Sequence, residues 1–164
     1  MQKSFLFVII SGILTCAAIT GCSRSDNSAN TPPCTPVPVT ADSSALLAFA
    51  KANGISPVAD TTGLYYQIIT PGTGESITGN SVVSVTYKAT FMNGTIFDST
   101  STPTRGFAIS GLIPAWQIGL PKIKSGGHIK LLVPSALGYG CTGSLPVVPA
   151  NTPLFFDVSV VSTQ

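Results

Sequence analysis

The chain has 164 residues, which is enough for one domain of ordinary size. Eight basic and six acidic residues leave a formal net charge of only +2, and two of the basic residues, Lys3 and Arg24, lie at the amino end. Because no basic face remains to attract a polyanion, nucleic acid is excluded as an expected partner.

The amino end is an apolar segment of the kind that directs export. Lys3 precedes the uncharged run 5–19, FLFVIISGILTCAAI, which is shorter than the roughly 20 residues that a membrane-spanning helix needs. The run leads into residues 19–22, ITGC, which resemble the lipobox of bacterial lipoproteins. This resemblance implies that residues 1–21 are a signal peptide and that Cys22 is acylated. A plain signal peptide cut at the same place and an uncleaved hydrophobic anchor are the alternatives.

Residues 22–41 are rich in Ser, Asn, Thr and Pro. Such a segment buries too little apolar surface to fold, so we expect a flexible tether that carries the lipidated Cys22. Ser23, not Asp, follows this cysteine, which by analogy with enterobacterial lipoproteins agrees with sorting to the outer membrane. The sequence therefore predicts an exported, lipid-anchored protein of the cell envelope, on its periplasmic or surface face.

Two cysteines remain after processing. Cys16 leaves with the signal peptide and Cys22 carries lipid, so Cys34 and Cys141 are the thiols of the mature chain. An oxidising compartment favours a disulfide between them. A pair of unlinked thiols is the alternative, since sequence does not supply the Cα separation that a disulfide requires.

Residues 42–62 are predicted to form an amino-terminal helix and a linker. Asp42 or Ser43 can cap a helix that runs through residues 45–51, and Gly54 can end it in a left-handed conformation. The apolar face of this helix packs either on the domain or on a second copy of itself, and the oligomeric state stays open.

From Gly63 onward the apolar residues alternate, which indicates β-strands. The pattern predicts a turn at residues 71–74 and a hairpin at Asn93-Gly94. Strands are predicted within residues 64–68, 83–91, 95–98, 107–109, 128–133 and 154–161. A short helix is expected at residues 114–120, because Pro114 suits a first helical turn. Together these elements predict an α+β fold, an antiparallel sheet around one short helix.

One residue and four short motifs follow one another along the chain: Tyr87, GTIFDS at 94–99, IPAW at 113–116, GYG at 138–140 and VPAN at 148–151. In this order and spacing they resemble the FKBP-type peptidyl-prolyl cis-trans isomerases. The resemblance spans residues 63–164 and implies the family fold, an antiparallel β-sheet curled around one short α-helix. It also implies prolyl isomerisation that assists the folding of exported proteins.

The resemblance further implies a site. Asp98 and Tyr139 match the polar catalytic positions, and the backbone N–H of Ile113 matches a donor to the substrate. The pocket positions are matched by Tyr87, Phe97, Leu112, Ile113, Trp116, Val148 and Phe156. Proline-containing polypeptides are the implied substrates and macrolide inhibitors are further ligands, while neither a cofactor nor a metal is called for.

Each site residue also has a purely structural interpretation. Trp116 could be an ordinary core residue, Tyr87 and Phe97 a cross-strand core pair, and Asp98 a turn cap. His128 is interpreted as a solvent-facing strand residue and not as a catalyst or metal ligand.

The chain also departs from the family pattern. Ala115 replaces the usual glycine, Gln117-Ile118 replaces a common acidic pair, Arg105 stands where an aromatic is frequent, and Ser144 replaces a frequent His. These changes leave room for a second function, an FKBP-like binding module with little catalysis. A structural lipoprotein with a β-sandwich is a third interpretation, which the ordered motifs disfavour.

Overall fold

The computed structural model describes residues 34–102 and 106–164. The predicted signal peptide, the lipidation site Cys22 and the pocket-edge residue Arg105 lie outside the described residues. Within the described ranges, no helix is both long and apolar enough to cross a membrane.

The described elements are seven strands and two α-helices, joined by short 3₁₀ turns. The strands are β1 (Val58–Ala59), β2 (Tyr65–Thr70), β3 (Val82–Phe91), β4 (Ile96–Thr100), β5 (Phe107–Ala108), β6 (His128–Val133) and β7 (Leu154–Thr163). The helices are α1 (Ser43–Ala52) and α2 (Pro114–Gly119). Every strand predicted from alternation is present, and the short two-residue strand β1 is additional.

All the strand pairs are antiparallel and form one sheet in the order β1-β2-β6-β7-β3-β4, with β5 paired to the start of β3. The long strands β3 and β7 lie at its centre, paired from Val83↔Thr163 to Phe91↔Leu154. A single sheet excludes the β-sandwich interpretation and confirms the predicted α+β fold.

The β3–β4 connection forms at the predicted Asn93-Gly94 pair. Gly94 has a φ of 83°, which an L side chain rarely adopts, and the Asn93 carboxamide oxygen accepts a hydrogen bond of 2.9 Å from the Thr95 N–H. This turn returns the chain so that Asp98 lies opposite Ala89 of β3. The hairpin therefore sets which side chains of β4 meet those of β3.

Two hydrophobic clusters cover the two faces of the sheet. The larger contains the buried α2 residues Ala115 and Trp116, and the smaller contains Leu46 and Ala50 of α1. Helix α1 thus packs on the domain, which is the first of its two predicted partners. Gly54, with a φ of 64°, lies just beyond its end, as predicted.

The start of α1 corrects two expectations. Asp42 occupies the N-cap position, but its carboxylate makes no capping bond; Oδ2 accepts hydrogen bonds from the N–H (2.8 Å) and hydroxyl (2.6 Å) of Ser135 instead. Residues 39–41, predicted to be the end of the flexible tether, belong to the 3₁₀ turn Val39–Asp42. The Val39 side chain packs against Gly63 and occupies the space that a Cβ there would need.

Cys34 and Cys141 are joined by a disulfide, with their Cα atoms 5.3 Å apart. That separation lies within the usual range for the bond. The link attaches the described end of the predicted tether to the loop that follows Tyr139.

Candidate active site

A cavity of about 280 Å³ opens between α2 and the inner face of the sheet. Its lining is contributed by the four strands β3, β4, β5 and β7, by α2 and the segment that precedes it, and by the loop after β6. The lining residues are Tyr87, Asp98, Phe107, Gly111, Leu112, Ile113, Trp116, Tyr139 and Phe156. Most of them are apolar or aromatic, which is typical of a small-molecule or peptide-residue pocket.

The floor of the cavity is Trp116, of which only 5 % is exposed. Its ring meets Tyr87 at a centroid distance of 5.4 Å and Phe156 at 5.6 Å, and the interplanar angles are 87° and 88°. Edge-to-face contacts of this kind are favourable and hold each ring in a fixed orientation. Trp116 and the two rings that stand perpendicular to it therefore form an apolar box.

Tyr87 and Asp98 form the polar edge of this box. The Tyr87 hydroxyl donates a hydrogen bond of 2.6 Å to Oδ2 of Asp98 across the β3–β4 pair. Burial, and then the adjacent Asp98 carboxylate, raise the pKa of Tyr87 well above its ordinary value. Tyr87 therefore remains a protonated donor at physiological pH and holds the carboxylate in one orientation.

Tyr139 supplies a second hydroxyl to the cavity. Burial raises its pKa above the ordinary value, and the negative charge of Asp98 adds to the effect. Among residues 34–102 and 106–164, neither this hydroxyl nor the backbone N–H of Ile113 donates to another protein group. Both donors are available to a bound ligand.

Most of the predicted site residues meet at the cavity. Those that line it are Tyr87, Asp98, Leu112, Ile113, Trp116, Tyr139 and Phe156. Phe97 and Val148 are not among the lining residues. Phe97 packs on Phe91, with ring centroids 4.8 Å apart, and on Phe156 at 6.0 Å. Val148 is 2 % exposed and belongs to the same core cluster as Trp116 and Phe156.

Phe107 and Gly111 line the cavity but were not predicted to belong to the site. Phe107 was predicted as a strand residue only, and its pairing with Val83 brings it to the inner face. Gly111 directly precedes the predicted pocket residues Leu112 and Ile113. Its position next to two predicted pocket residues is the sequence signal that could have identified Gly111 as a lining residue.

His128 lies away from the cavity, on β6. Its Nε2 contacts the Asp157 carboxylate on the neighbouring strand β7, and both side chains are about one-third exposed. Across the described ranges, no group of three or more His, Cys, Asp and Glu side chains is placed to hold a metal ion.

Comparison with known proteins agrees with this geometry. The model of the family described as FKBP-type peptidyl-prolyl cis-trans isomerase matches residues 74–161, just over half of the chain. The chain belongs to this family. Among curated FKBP-type relatives, FkpA of Escherichia coli K12 is 41% identical over 120 residues, and Mip of Coxiella burnetii is 36% identical over 123 residues.

The chain is shorter than these FKBP-type relatives. Each match covers 71% of this chain but only 43% of FkpA and 53% of Mip, so the chain spans about half the length of the curated relatives it matches.

Solved structures of the family have the same fold. The crystal structure of Escherichia coli FkpA superimposes with a TM-score of 0.66 at 38% identity, covering 74% of this chain and 57% of that one. A peptidyl-prolyl cis-trans isomerase from Pseudomonas syringae superimposes with a TM-score of 0.65 at 26% identity, covering 79% of this chain and 98% of that one.

Proposed function

We propose that this chain is a peptidyl-prolyl cis-trans isomerase that acts on proline-containing polypeptides and assists the folding of exported proteins. The observation that carries the proposal is the aromatic box over Trp116 with Asp98, Tyr139 and the Ile113 N–H at its edge. Macrolide inhibitors are expected to compete for the same cavity.

The chemistry needs no bond cleavage. Rotation about a peptide bond has a barrier of ~18–20 kcal/mol because amide resonance is lost, whereas the cis and trans forms before proline differ by only ~0.5–1 kcal/mol. The twisted amide carries less charge separation than the planar one. A dry apolar cavity therefore favours the twisted form relative to water.

The walls would hold the proline ring. Trp116 offers a flat floor, and the Tyr87 and Phe156 rings stand at right angles to it. A ring packed on three sides fixes the atoms that follow the peptide bond, while the residue before proline stays free to turn.

The polar groups act on the carbonyls that flank the proline. The Tyr139 hydroxyl and the Ile113 N–H have no protein acceptor among the described residues and can donate to these oxygens. Asp98, oriented by the Tyr87 hydroxyl, contributes a negative field beside the turning amide. These few groups assist the rotation, and the apolar box supplies most of the effect.

The test is an isomerisation assay with peptides that differ in the residue before proline. The wild-type domain should prefer Leu or Phe over Glu there, because the cavity is lined by aromatic rings and has a carboxylate at its edge. Asp98→Ala and Tyr139→Phe should each lower kcat/KM about tenfold, or about 1.4 kcal/mol.

The matched control is Tyr65→Phe, since Tyr65 packs on the α1 cluster away from the cavity. It should leave kcat/KM unchanged. A folded wild-type domain that leaves the isomerisation rate at its uncatalysed value would refute the proposal.

The second candidate is an FKBP-like binding module. Gln117 and Ile118 replace a common acidic pair beside the cavity, while the cavity itself is intact. Binding of proline peptides, measured through the fluorescence of the single tryptophan Trp116, without catalysis would favour this function.

Export and lipidation are a separate part of the proposal. They are supported by Lys3, the apolar run 5–19 and the ITGC motif at residues 19–22. Cys22→Ser should abolish fatty-acid labelling and release the chain from membranes of the cell envelope. Unchanged labelling of that variant would contradict lipidation.

The Cys34–Cys141 disulfide is likewise proposed for the exported protein. It is supported by the close approach of the two Cα atoms, and by the proposed processing, which removes Cys16 and acylates Cys22. Thiol alkylation without reduction, followed by mass spectrometry, should find neither thiol free. Two alkylated thiols would contradict the disulfide.

A further inference from the structure

Gln117 stands where many family members have an acidic residue. Its side-chain amide donates hydrogen bonds that an ionised carboxylate could not make. It lies on the exposed side of α2, and its side chain turns back toward the start of the helix. Its Nε2 donates a hydrogen bond of 2.6 Å to the Leu112 carbonyl and a longer one of 3.4 Å to the Ser110 carbonyl. One side-chain amide thus engages two carbonyls of the segment 110–113.

This segment forms one wall of the cavity. Gly111, Leu112 and Ile113 all line it, and the Ile113 N–H is one of the two available donors. The backbone of the segment is otherwise held by few bonds: the Leu112 N–H donates to Ile109, and the Ile113 carbonyl accepts from the start of α2. Gln117 therefore supplies a considerable part of the restraint on this wall.

We propose that Gln117 is a positioning residue that holds the segment 110–113 against the cavity and so sets the direction of the Ile113 N–H. The inference rests on the proposed function of the cavity. Gln117 touches neither substrate nor reacting atoms; it acts through the backbone of the wall.

The chemistry of the contact requires a donor. Both partners are carbonyl oxygens, so the amide nitrogen fits and an ionised carboxylate does not. A Glu at position 117 has the same length but would repel both carbonyls when ionised. When protonated, its hydroxyl could again donate to the Leu112 carbonyl, so the wall should be restored at low pH.

The test compares Gln117→Glu with the wild-type protein near pH 7 and near pH 4. Isomerisation of an Ala-Leu-Pro-Phe peptide is followed by NMR exchange, which requires no coupling protease. Near pH 7 we expect kcat/KM of the variant to be about fivefold lower than wild type, mainly through KM, since one net hydrogen bond is lost. Near pH 4, where an ordinary Glu is about two-thirds protonated, the ratio should move back toward one.

Two controls separate this effect from others. Gln117→Met removes the donor without a titratable group, so it should lower kcat/KM about fivefold at both pH values. Gln67→Glu introduces the same charge on β2, outside the cavity lining. It should leave kcat/KM at the wild-type value both near pH 7 and near pH 4. The wild-type protein and the variants share every other charged side chain, so a pH effect that arises elsewhere in the protein cancels in the ratio to wild type.

The outcomes are distinct. A Gln117→Glu variant with the wild-type kcat/KM near pH 7, or with an equal loss at both pH values, would overturn the positioning role. A wild-type protein without activity would instead refute the proposed function. In that case the peptide dissociation constant, read from Trp116 fluorescence, should show the same pH-dependent weakening in Gln117→Glu, and its absence would overturn the inference as well.

Discussion

The two faces of the sheet are built from neighbouring residues but are filled in different ways. Leu132 and Phe155 belong to the cluster under α1, whereas the adjacent Leu131 and Phe156 belong to the cluster under α2. This follows from the strand geometry, in which successive side chains point to opposite faces. Strands β6 and β7 therefore contribute side chains both to the core under α1 and to the face of the sheet that borders the cavity.

The difference lies in the helix that covers each face. Helix α1 presents the aliphatic residues Leu46 and Ala50, of which 0% and 2% is exposed, and these pack closely on the sheet. Helix α2 has only six residues and presents Trp116, whose neighbours stand perpendicular to it. A short helix and rigid rings at right angles leave space that aliphatic side chains would have filled.

On each face of the sheet, one carboxylate links the helical region to the rest of the domain. On the α1 side, Asp42 holds the buried Ser135. On the α2 side, Asp60 contacts the ammonium group of Lys122, which belongs to the 3₁₀ turn that directly follows α2 and lies 4.8 Å from the centre of the Tyr66 ring. The Asp42 bonds satisfy groups that have no access to water, whereas the Asp60 pair is partly exposed.

The largest expected effect comes from the adjacent phenylalanines. Phe155→Ala and Phe156→Ala should each lower the free energy of unfolding by ~3–5 kcal/mol, because both side chains are buried. Only Phe156→Ala should also lower kcat/KM, by more than about tenfold, since only Phe156 lines the cavity. Denaturant unfolding and the isomerisation assay together check the pair. Equal losses of activity would break the distinction between the two faces.

A smaller loss of stability is expected when the Asp42–Ser135 hydrogen bonds at the start of α1 are removed. Asp42→Ala should lower the free energy of unfolding by ~2 kcal/mol, because it leaves the N–H and hydroxyl of fully buried Ser135 without partners. Ser44→Ala, at an exposed position of the same helix, is the control and should cost nothing. Activity should be unchanged in both variants. A loss of activity in Asp42→Ala would show that the two faces are coupled.

The smallest effect on stability is expected when the Asp60–Lys122 ion pair is removed, and this effect depends on pH. The hydrogen bond from Lys122, followed by the Thr62 N–H, lowers the pKa of Asp60 from 3.8 to about 2. A lowered carboxyl pKa stabilises the fold above about pH 4, and this contribution is lost as the pH falls toward 2. The melting temperatures of wild type and Asp60→Asn should therefore differ near neutral pH and converge in that acid range. A constant difference would mean that the pair contributes no pH dependence.

The sequence by itself determined the order of the elements and identified most of the residues that line the candidate cavity. Alternation located β3 and β7 and the motifs located Asp98, Trp116 and Tyr139, because such signals depend only on neighbours along the chain.

Only the tertiary structure decided which groups meet across the fold. Asp42 could have capped its own helix, yet its carboxylate bonds to Ser135, 93 residues away. Phe97 and Val148 match the pocket positions but are not among the residues that line the cavity, whereas Phe107 and Gly111 are. These outcomes depend on the curl of the sheet and on the competition of side chains for the same space, which spacing along the chain does not encode.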